Sequence, residues 1–284
     1  MLWRRPWLKA TGLLTPPVAA FLLVYVGALV VLFVSSLWTV DSFTGKLVHH
    51  WTLSNFRQIF DTGQPYLRIA GRTMGIAAAV TLTDAVLAFP LGYFMARIAG
   101  GRARAVLFVM VLLPLWASYL VRIYAWRTIL AHDGAINWTL GGLGLPDQNI
   151  AYTNWAMWIV FSYVWLPFMV LPVYAALERI PDSYIEASAD MGARGLRTLR
   201  SVILPLALPG VIAGSIFTFS LTLGDFITPL LVGGPSSSFI GNVVYSFIGI
   251  NANIPFAAAF AVIPVLIMGV YLTIARRLGA FEAL

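Results

Sequence analysis

Cysteine is absent from this 284-residue sequence, and charge is scarce, since Asp, Glu, Lys and Arg together make up only 10% of it. Without cysteine the chain can form no disulfide, thiolate nucleophile, iron–sulfur cluster or zinc–thiolate site. Soluble domains carry about 25% charged residues on average, so this chain has too few to cover a water-exposed surface. Composition therefore disfavours an ordinary soluble enzyme and excludes a disordered or fibrous protein.

Apolar residues, in contrast, make up 60% of the sequence, and the mean hydropathy is +0.86. A helix needs about 20 predominantly apolar residues to cross the hydrocarbon core of a membrane. Six runs meet this requirement and predict six transmembrane helices, at 14–38, 69–98, 105–130, 154–177, 202–223 and 255–274. The predicted fold class is therefore an all-α membrane protein.

The segments between these runs differ in composition. Residues 39–67 are mixed in polarity, and 131–151 are rich in Gly, Asn and Asp, which predicts a loop. Residues 178–201 form the most charged stretch of the chain. Residues 224–254 mix Gly, Pro, Ser and Asn with apolar residues, and this composition allows a re-entrant segment or a short half-helix.

Lysine and arginine are unevenly distributed around the predicted spans. Six spans put both termini on one side, and that side, with the loops 97–104 and 178–201, holds 12 of the 18 Lys and Arg residues. Because cytoplasmic loops carry the excess of these residues, we expect both termini and the loop 178–201 in the cytoplasm. The net charge of +7 then reflects orientation, and no nucleic-acid partner is expected.

The cytoplasmic segment 181–210 reads PDSYIEASADMGARGLRTLRSVILPLALPG. Ser183 and Glu186 have the spacing of a capping box, which predicts that a helix starts there. Gly192 and Gly195 can end this helix and turn the chain. A second short helix is expected to follow and to carry three arginines, Arg194, Arg197 and Arg200. The simplest interpretation is a polar loop that only obeys the topology.

A more specific interpretation comes from the spacing within this loop. ABC importer permeases carry the pattern E-A-A, three residues, G, nine residues, I-x-L-P. This chain has Glu186-Ala187-Ser188, three residues, Gly192, nine residues, and then Val202-Ile203-Leu204-Pro205, so it departs at Ser188 and Val202. The chain therefore resembles a permease of this family, which implies the type I ABC importer permease fold and a place in the inner membrane of a bacterium.

The resemblance implies a role for the loop, which in the family docks on a cytoplasmic ATPase and transmits its ATP-driven closure to the spans. The ATPase-coupling residues would be Glu186, Ala187, Ser188, Gly192, Arg194 and Pro205. The implied organisation is a first segment and span with an external loop at 1–67, a transmembrane domain at 68–277 that contains the coupling loop 181–201, and a cytoplasmic tail at 278–284.

Further segments narrow the resemblance. WASYLVRIYAWRTIL at 116–130, DGAINWTL at 133–140 and TLGDFITPLLVGGP at 222–235 are similar to the first permease subunit of spermidine/putrescine-type importers. This similarity implies import of a polyamine such as putrescine or spermidine. Related permeases carry amino-acid-like amines, phosphonates or ferric iron, so these solutes stay open as alternatives.

The partners implied by the family are two ATP-binding-cassette ATPases, a second and different permease subunit, an external substrate-binding protein and membrane lipid. The chain has no G-x-x-x-x-G-K-[ST] motif, so we expect ATP and Mg²⁺ on the partner ATPase and no cofactor on this chain. No catalytic residue is expected. His49, His50 and His132 lack the H-E-x-x-H spacing, so no metal site is expected either.

Two aspartates within or next to the predicted spans are candidates for a substrate path, because ionisable residues at membrane depth often mark one. Asp84 lies in the second span and Asp225 follows the fifth. Carboxylates would attract an ammonium group, and aromatic rings could add cation–π contacts; the aromatic candidates are Tyr119, Tyr124, Trp126, Tyr163 and Trp165. The alternatives are structural hydrogen bonds, ion pairs with Arg122 or Arg72, and packing or an interfacial belt for the aromatic residues.

Two other classes of protein are alternatives to an importer subunit. An intramembrane aspartyl protease would use Asp84 and Asp225, but Thr222 stands where its G-x-G-D motif needs Gly, and Thr83 stands where Tyr should precede Asp84. A stand-alone secondary transporter or channel would leave the coupling-loop pattern unexplained.

Overall fold

The computed structural model describes residues 6–41 and 44–278, with side chains from residue 11 onward. Within these residues it contains two short strands, β1 (Thr39–Val40) and β2 (Leu47–Val48), and is otherwise built from helices. The helices are α1 (Pro6–Phe21), α2 (Gly27–Ser35), α3 (Ser54–Phe60), α4 (Tyr66–Tyr93), α5 (Gly101–Trp116), α6 (Tyr119–Leu130), α7 (Ala135–Gly142), α8 (Asn154–Glu178), α9 (Asp182–Asp190), α10 (Gly195–Thr198), α11 (Leu204–Gly224), α12 (Ile227–Val232), α13 (Ile240–Gly249) and α14 (Ile254–Arg277).

Three π-helical segments lengthen these helices: 22–26 joins α1 to α2, 94–98 extends α4, and 199–203 joins α10 to α11. The chain divides into two compact units, 1–66 with 243–263 and 67–242 with 264–284. They are described in turn below.

In the first unit, the apolar stretch Thr11–Ser35 is long enough to cross a membrane, and almost none of it is buried within the protein. Strands β1 and β2 then pair antiparallel, with Thr39 opposite Val48. The buried Asn55 amide of α3 donates to the carbonyls of Ser36, at 2.8 Å, and Trp38, at 2.7 Å. This side chain therefore fixes the segment that follows the first span.

Four further single helices in the described residues are long and apolar enough to span a membrane: Tyr66–Ile98, Asn154–Glu178, Gly195–Gly224 and Ile254–Arg277. The second, fourth, fifth and sixth predicted spans are confirmed as long apolar helices. The fifth begins earlier than predicted, because α10 and the π-helical segment after it run straight into α11.

The third predicted span, 105–130, is wrong as a single helix. Helix α5 and the stretch Tyr119–Gly142, which contains α6 and α7, meet at a bend of 94°, so six spans result only if this bent pair crosses the membrane as one. Pro114 lies in the last turn of α5, and Ala117 adopts extended backbone angles. Proline lacks an N–H and crowds the preceding turn, and the Ser118 carbonyl starts the next helix by accepting from Arg122 N at 3.1 Å.

Two other segments are more helical than predicted. The predicted loop 131–151 contains α7, and the buried Asn137 of α7 holds the chain that follows it, because its Oδ1 accepts from Gln148 N at 2.9 Å. The segment 224–254 holds two short helices, α12 and α13, whereas its composition suggested a re-entrant segment or one short half-helix.

The core of the second unit lies where α8 packs against α11. Gly210 and Gly214 face α8, since a Cβ at Gly210 would lie 2.6 Å from the Pro172 carbonyl oxygen, and one at Gly214 would lie 2.7 Å from Met169 Sδ. Small residues four apart let two membrane helices approach this closely. Helices α8 and α11, which flank the segment 179–203, are therefore packed against each other along their backbones.

Candidate functional site

The segment predicted to lie in the cytoplasm and to couple to an ATPase forms a helical hairpin over residues 182–203. Its first helix, α9, begins at Asp182 after Pro181, with no side-chain cap. The predicted capping box is therefore wrong, because Ser183 and Glu186 both lie inside the helix. Pro181 takes the N-cap position with a φ of −65°, and its carbonyl accepts from Tyr184 N at 3.2 Å.

Gly192 ends α9 as predicted. It has a φ of +78°, its N–H donates to the Ala189 carbonyl at 2.8 Å, and the next N–H, of Ala193, donates to the Ser188 carbonyl at 3.0 Å. These two bonds form a Schellman motif, which needs a left-handed residue at this position. Glycine adopts that conformation without strain, so the hairpin turns sharply at Gly192.

The second arm of the hairpin starts at Arg194, whose carbonyl accepts from Arg197 N at 2.8 Å and from Thr198 N at 3.1 Å. It is the predicted second helix, although it continues through the π-helical segment 199–203 into α11. Pro205 follows the π-helical segment directly, and because it lacks an N–H it cannot donate to the helical turn before it. The hairpin is thus continuous with a membrane-spanning helix.

Ser188 joins the two arms. Its hydroxyl lies 3.0 Å from the hydroxyl of Thr198, and both residues are buried. The departure from the E-A-A pattern at Ser188 therefore has a structural explanation, because the serine hydroxyl gives the buried Thr198 hydroxyl a partner. Sequence spacing alone did not reveal Thr198.

The outward face of the hairpin is accessible. Glu186 and Ala187 are exposed, and neither side chain makes a hydrogen bond or ion pair within the described residues. Three large apolar side chains of the hairpin are also exposed: Tyr184, Met191 and Leu196. This face of the hairpin therefore presents both charged and apolar side chains to its surroundings.

Asp225 and Tyr119, two of the predicted path residues, are brought together at the end of α11. The Tyr119 hydroxyl donates to Asp225 Oδ2 and lies 2.9 Å from the Thr228 hydroxyl. The Thr228 hydroxyl donates to the same oxygen at 2.8 Å, and Ile227 N donates to Asp225 Oδ1 at 2.7 Å. Protein donors therefore reach both oxygens of Asp225, which is the arrangement of a structural hydrogen-bond centre.

A second layer supports this centre. Asn242 Nδ2 donates to the Phe226 carbonyl at 2.7 Å, and Asn242 Oδ1 accepts from Phe239 N at 3.0 Å. Thr228 and Asn242 were missed by the sequence analysis. The Asp-x-x-Thr spacing, typical of a side chain that bonds the backbone two or three residues ahead, could have revealed Thr228; no comparable signal marks Asn242.

Asp84, the other predicted carboxylate, lies elsewhere in the second unit. It is fully buried, and the Ser162 hydroxyl of α8 lies beside its carboxyl group. Neither Arg72 nor Arg122 forms an ion pair with Asp84 or Asp225 in this part of the chain. Asp84 as part of a substrate path stays a prediction.

The aromatic candidates form two pairs and one separate ring. Tyr119 stacks on Trp165 with ring centroids 5.7 Å apart, and Trp126 packs against Tyr163 at 5.3 Å. The guanidinium carbon of Arg122 lies 5.8 Å from the centre of the Tyr119 ring. Tyr124 is half exposed and has no ring contact in the described residues. Of these five rings, Tyr119 is the only one with a hydrogen bond to a predicted carboxylate in the part of the chain that the structure describes.

Comparison with known proteins identifies the family. A model of the "Binding-protein-dependent transport system inner membrane component" family matches residues 88–280. The chain is 46% identical to the "Inner membrane ABC transporter permease protein YdcU" of Escherichia coli (strain K12), over 99% of this chain and 93% of the relative. It is 32% identical to the "Spermidine/putrescine transport system permease protein PotB" of the same organism, over 90% of this chain and 92% of the relative.

A solved structure supports the fold. A permease chain in the crystal structure of a bacterial alginate ABC transporter, in complex with its alginate-bound periplasmic protein, superposes with a TM-score of 0.79. It is 17% identical and covers 97% of this chain and 95% of its own length. The chain thus has the permease fold of ABC importers.

Together these matches show that the chain belongs to the family of binding-protein-dependent transport system inner membrane components. It is a multi-pass inner-membrane permease of an ABC importer. Its relatives are permease components of transport systems.

Proposed function

We propose that this permease translocates a polyamine such as putrescine or spermidine, and that a separate ATPase drives it through the hairpin 182–203. The coupling role is supported mainly by the exposure of α9, which bears Glu186 and Ala187, and by the sharp turn of the chain at Gly192 after this helix. Similarity over 90% of the chain to a permease named for spermidine and putrescine supports the cargo. The name of the 46% identical relative states no substrate.

The partners follow from the same proposal. One permease of six spans encloses only part of a path, so a second permease subunit, two ATPases and an external binding protein complete the importer. This chain acts as a non-catalytic subunit, with ATP and Mg²⁺ on the ATPases. Both termini lie in the cytoplasm, and residues 68–277 form the transporter domain.

The residues proposed for the path are Asp84, Asp225, Tyr119, Tyr124, Trp126, Tyr163 and Trp165. Asp225 would act mainly by holding α12 against Tyr119, since its two oxygens already accept bonds from protein donors. Amino-acid-like amines, phosphonates and ferric iron stay alternatives for the cargo. A protease that uses Asp84 and Asp225 as a pair loses support, because the two carboxylates have different neighbours in the described residues.

The test uses the complete importer in lipid nanodiscs. ATP hydrolysis is measured with the binding protein loaded in turn with putrescine, spermidine, an amino acid or a phosphonate. Loaded polyamine is expected to stimulate hydrolysis, and an unloaded binding protein serves as control. Stimulation by a phosphonate alone would overturn the polyamine proposal while leaving the architecture intact; no stimulation by any loaded ligand would contradict the coupling proposal.

A further inference from the structure

One arginine joins three helices at the cytoplasmic hairpin. Arg97 lies in the π-helical segment at the end of α4, and its side chain is only 13% exposed. Its Nη1 lies 2.6 Å from Asp182 Oδ1, at the first residue of α9. Its Nη2 donates to the carbonyls of Leu177, at 2.8 Å, and Ile180, at the end of α8.

These partners explain why a partly buried arginine is stable there. The last carbonyls of a helix have no intrahelical donors, and the negative end of the helix dipole attracts a cation. The planar guanidinium carries several donors in a fixed geometry, so one group can serve the Leu177 carbonyl and the Asp182 carboxylate together. A lysine has no such planar set of donors.

The ion pair with Asp182 does not by itself account for the arrangement. The Asp182 side chain is 81% exposed, and exposed ion pairs contribute little to stability because water and salt screen them. The shielded part of the contact is the Arg97 guanidinium on the α8 carbonyls. Arg97 therefore acts as a fixed point to which the start of α9 is attached.

Without Arg97, α4 would have no side-chain hydrogen bond or ion pair to α9 in the described residues. The hairpin would still be joined to α8 through Pro181 and to α11 through the continuous helix after Gly195. The π-helical turn that carries Arg97 closes with a bond from Ala99 N to the Phe94 carbonyl at 2.8 Å, and such turns occur often at functional positions.

We propose that Arg97 is a positioning residue that makes the end of α4 move together with α9 when the ATPase moves the hairpin. Helices α8 and α11 already follow the hairpin through the chain itself. The end of α4 packs against α8, because Met95 and Ala96 share an apolar cluster with Val173 and Leu177, and Arg97 adds a polar tie from α4 to α9. The consequence for transport rests on the proposed docking of α9 on the ATPase. The tie between α4 and α9 does not depend on that docking, so it can be tested separately.

The absence of cysteine allows two spin labels to be placed uniquely on this chain. Ser183→Cys labels an exposed site on α9, and Val86→Cys labels an exposed site on α4. The distance between the labels is measured by double electron–electron resonance in the complete importer in nanodiscs, whose other subunits carry no reactive cysteine. Spectra are taken without nucleotide and with ATP trapped by vanadate.

With Arg97 in place, we expect one narrow distance distribution that is the same in both states. Arg97→Gln is expected to broaden it by about twofold even without nucleotide, because the guanidinium donors are lost. Arg97→Lys is expected to give an intermediate width. Arg104→Gln is the matched control, because Arg104 pairs with Glu178 at 3.4 Å near the same helix ends and does not touch α9.

A parent-like width in Arg97→Gln would overturn the proposal. If that variant does not assemble, the width in Arg97→Lys decides in the same way, since a parent-like width there also overturns it. A broad distribution in Arg104→Gln would contradict a specific role for Arg97. If no loaded ligand stimulates ATP hydrolysis, the docking proposal fails, whereas the nucleotide-free widths still decide the role of Arg97.

Discussion

Gly192 is the single residue on which the shape of the hairpin depends most directly. Its φ of +78° belongs to the left-handed region, and a Cβ there would meet no atom within 4 Å. A side chain at this position would therefore strain the backbone without any clash. The effect of a substitution can be assigned to conformation alone.

Gly192→Ala is expected to destabilise the end of α9 by about 1 kcal/mol, because an L-residue in the left-handed region costs about that much. Amide hydrogen exchange in α9 should then become about fivefold faster, as that free energy implies. The control is Gly195→Ala, since Gly195 has no positive φ and also has open space at its Cβ. Equal exchange in Gly192→Ala and the parent protein would contradict the role of Gly192.

Residues that act over short stretches of sequence could be predicted. The E-A-S pattern and Gly192 lie within one loop, and their roles depend on local helix geometry. The partners of Arg97 and Tyr119 could not be predicted in this way. Arg97 meets Asp182 across 85 positions and Tyr119 meets Asp225 across 106, and no local spacing encodes such contacts.

At the scale of helices, the close packing of α8 on α11 is the central feature. Gly210 and Gly214 are four residues apart and both approach α8 more closely than a side chain would permit. This spacing is visible in the sequence and could have indicated the contact. The contact keeps together the two helices that flank the hairpin.

Gly214→Leu is expected to destabilise the protein by about 1–3 kcal/mol, because overpacking a close contact forces backbone shifts. The change would appear as a lower unfolding temperature of the purified permease in nanodiscs. Gly269→Leu in α14 is the matched control, because a Cβ at Gly269 meets nothing within 4 Å. An unchanged unfolding temperature in Gly214→Leu would argue against this packing.

The spans were predicted correctly where the length of an apolar run was enough to define the helix. The prediction was wrong where a proline or a buried polar side chain changed the course of the backbone. The five single long helices were anticipated from their apolar length. The break between α5 and α6 was not, because the run 105–130 is apolar on both sides of Pro114. Helix α7 was missed because Gly, Asn and Asp in 131–151 indicate turns, whereas the buried Asn137 stabilises a short helix there.

At the scale of the whole molecule, the fold and the family follow from the match over 88–280 and from the superposition with a solved permease. The proposed mechanism adds one step to these findings. Closure of the ATPases moves α9, and the hairpin moves α8 and α11 because they continue from its two ends. In this mechanism, the hairpin transmits the motion of the ATPases to the membrane-spanning helices, and transport depends on it.

The most direct test is ATP-driven uptake of a radiolabelled cargo into proteoliposomes that contain the complete importer. The cargo is the one that stimulates ATP hydrolysis most when it is bound to the binding protein. Glu186→Ala is compared with Ser183→Ala, an exposed position on the same helix outside the coupling pattern. We expect uptake only with ATP. Glu186→Ala is expected to lower the uptake rate by about tenfold or more, as for removal of one charged contact at an interface. Ser183→Ala is expected to keep the uptake rate of the parent protein. Uptake without ATP, or equal uptake by both variants, would contradict the account.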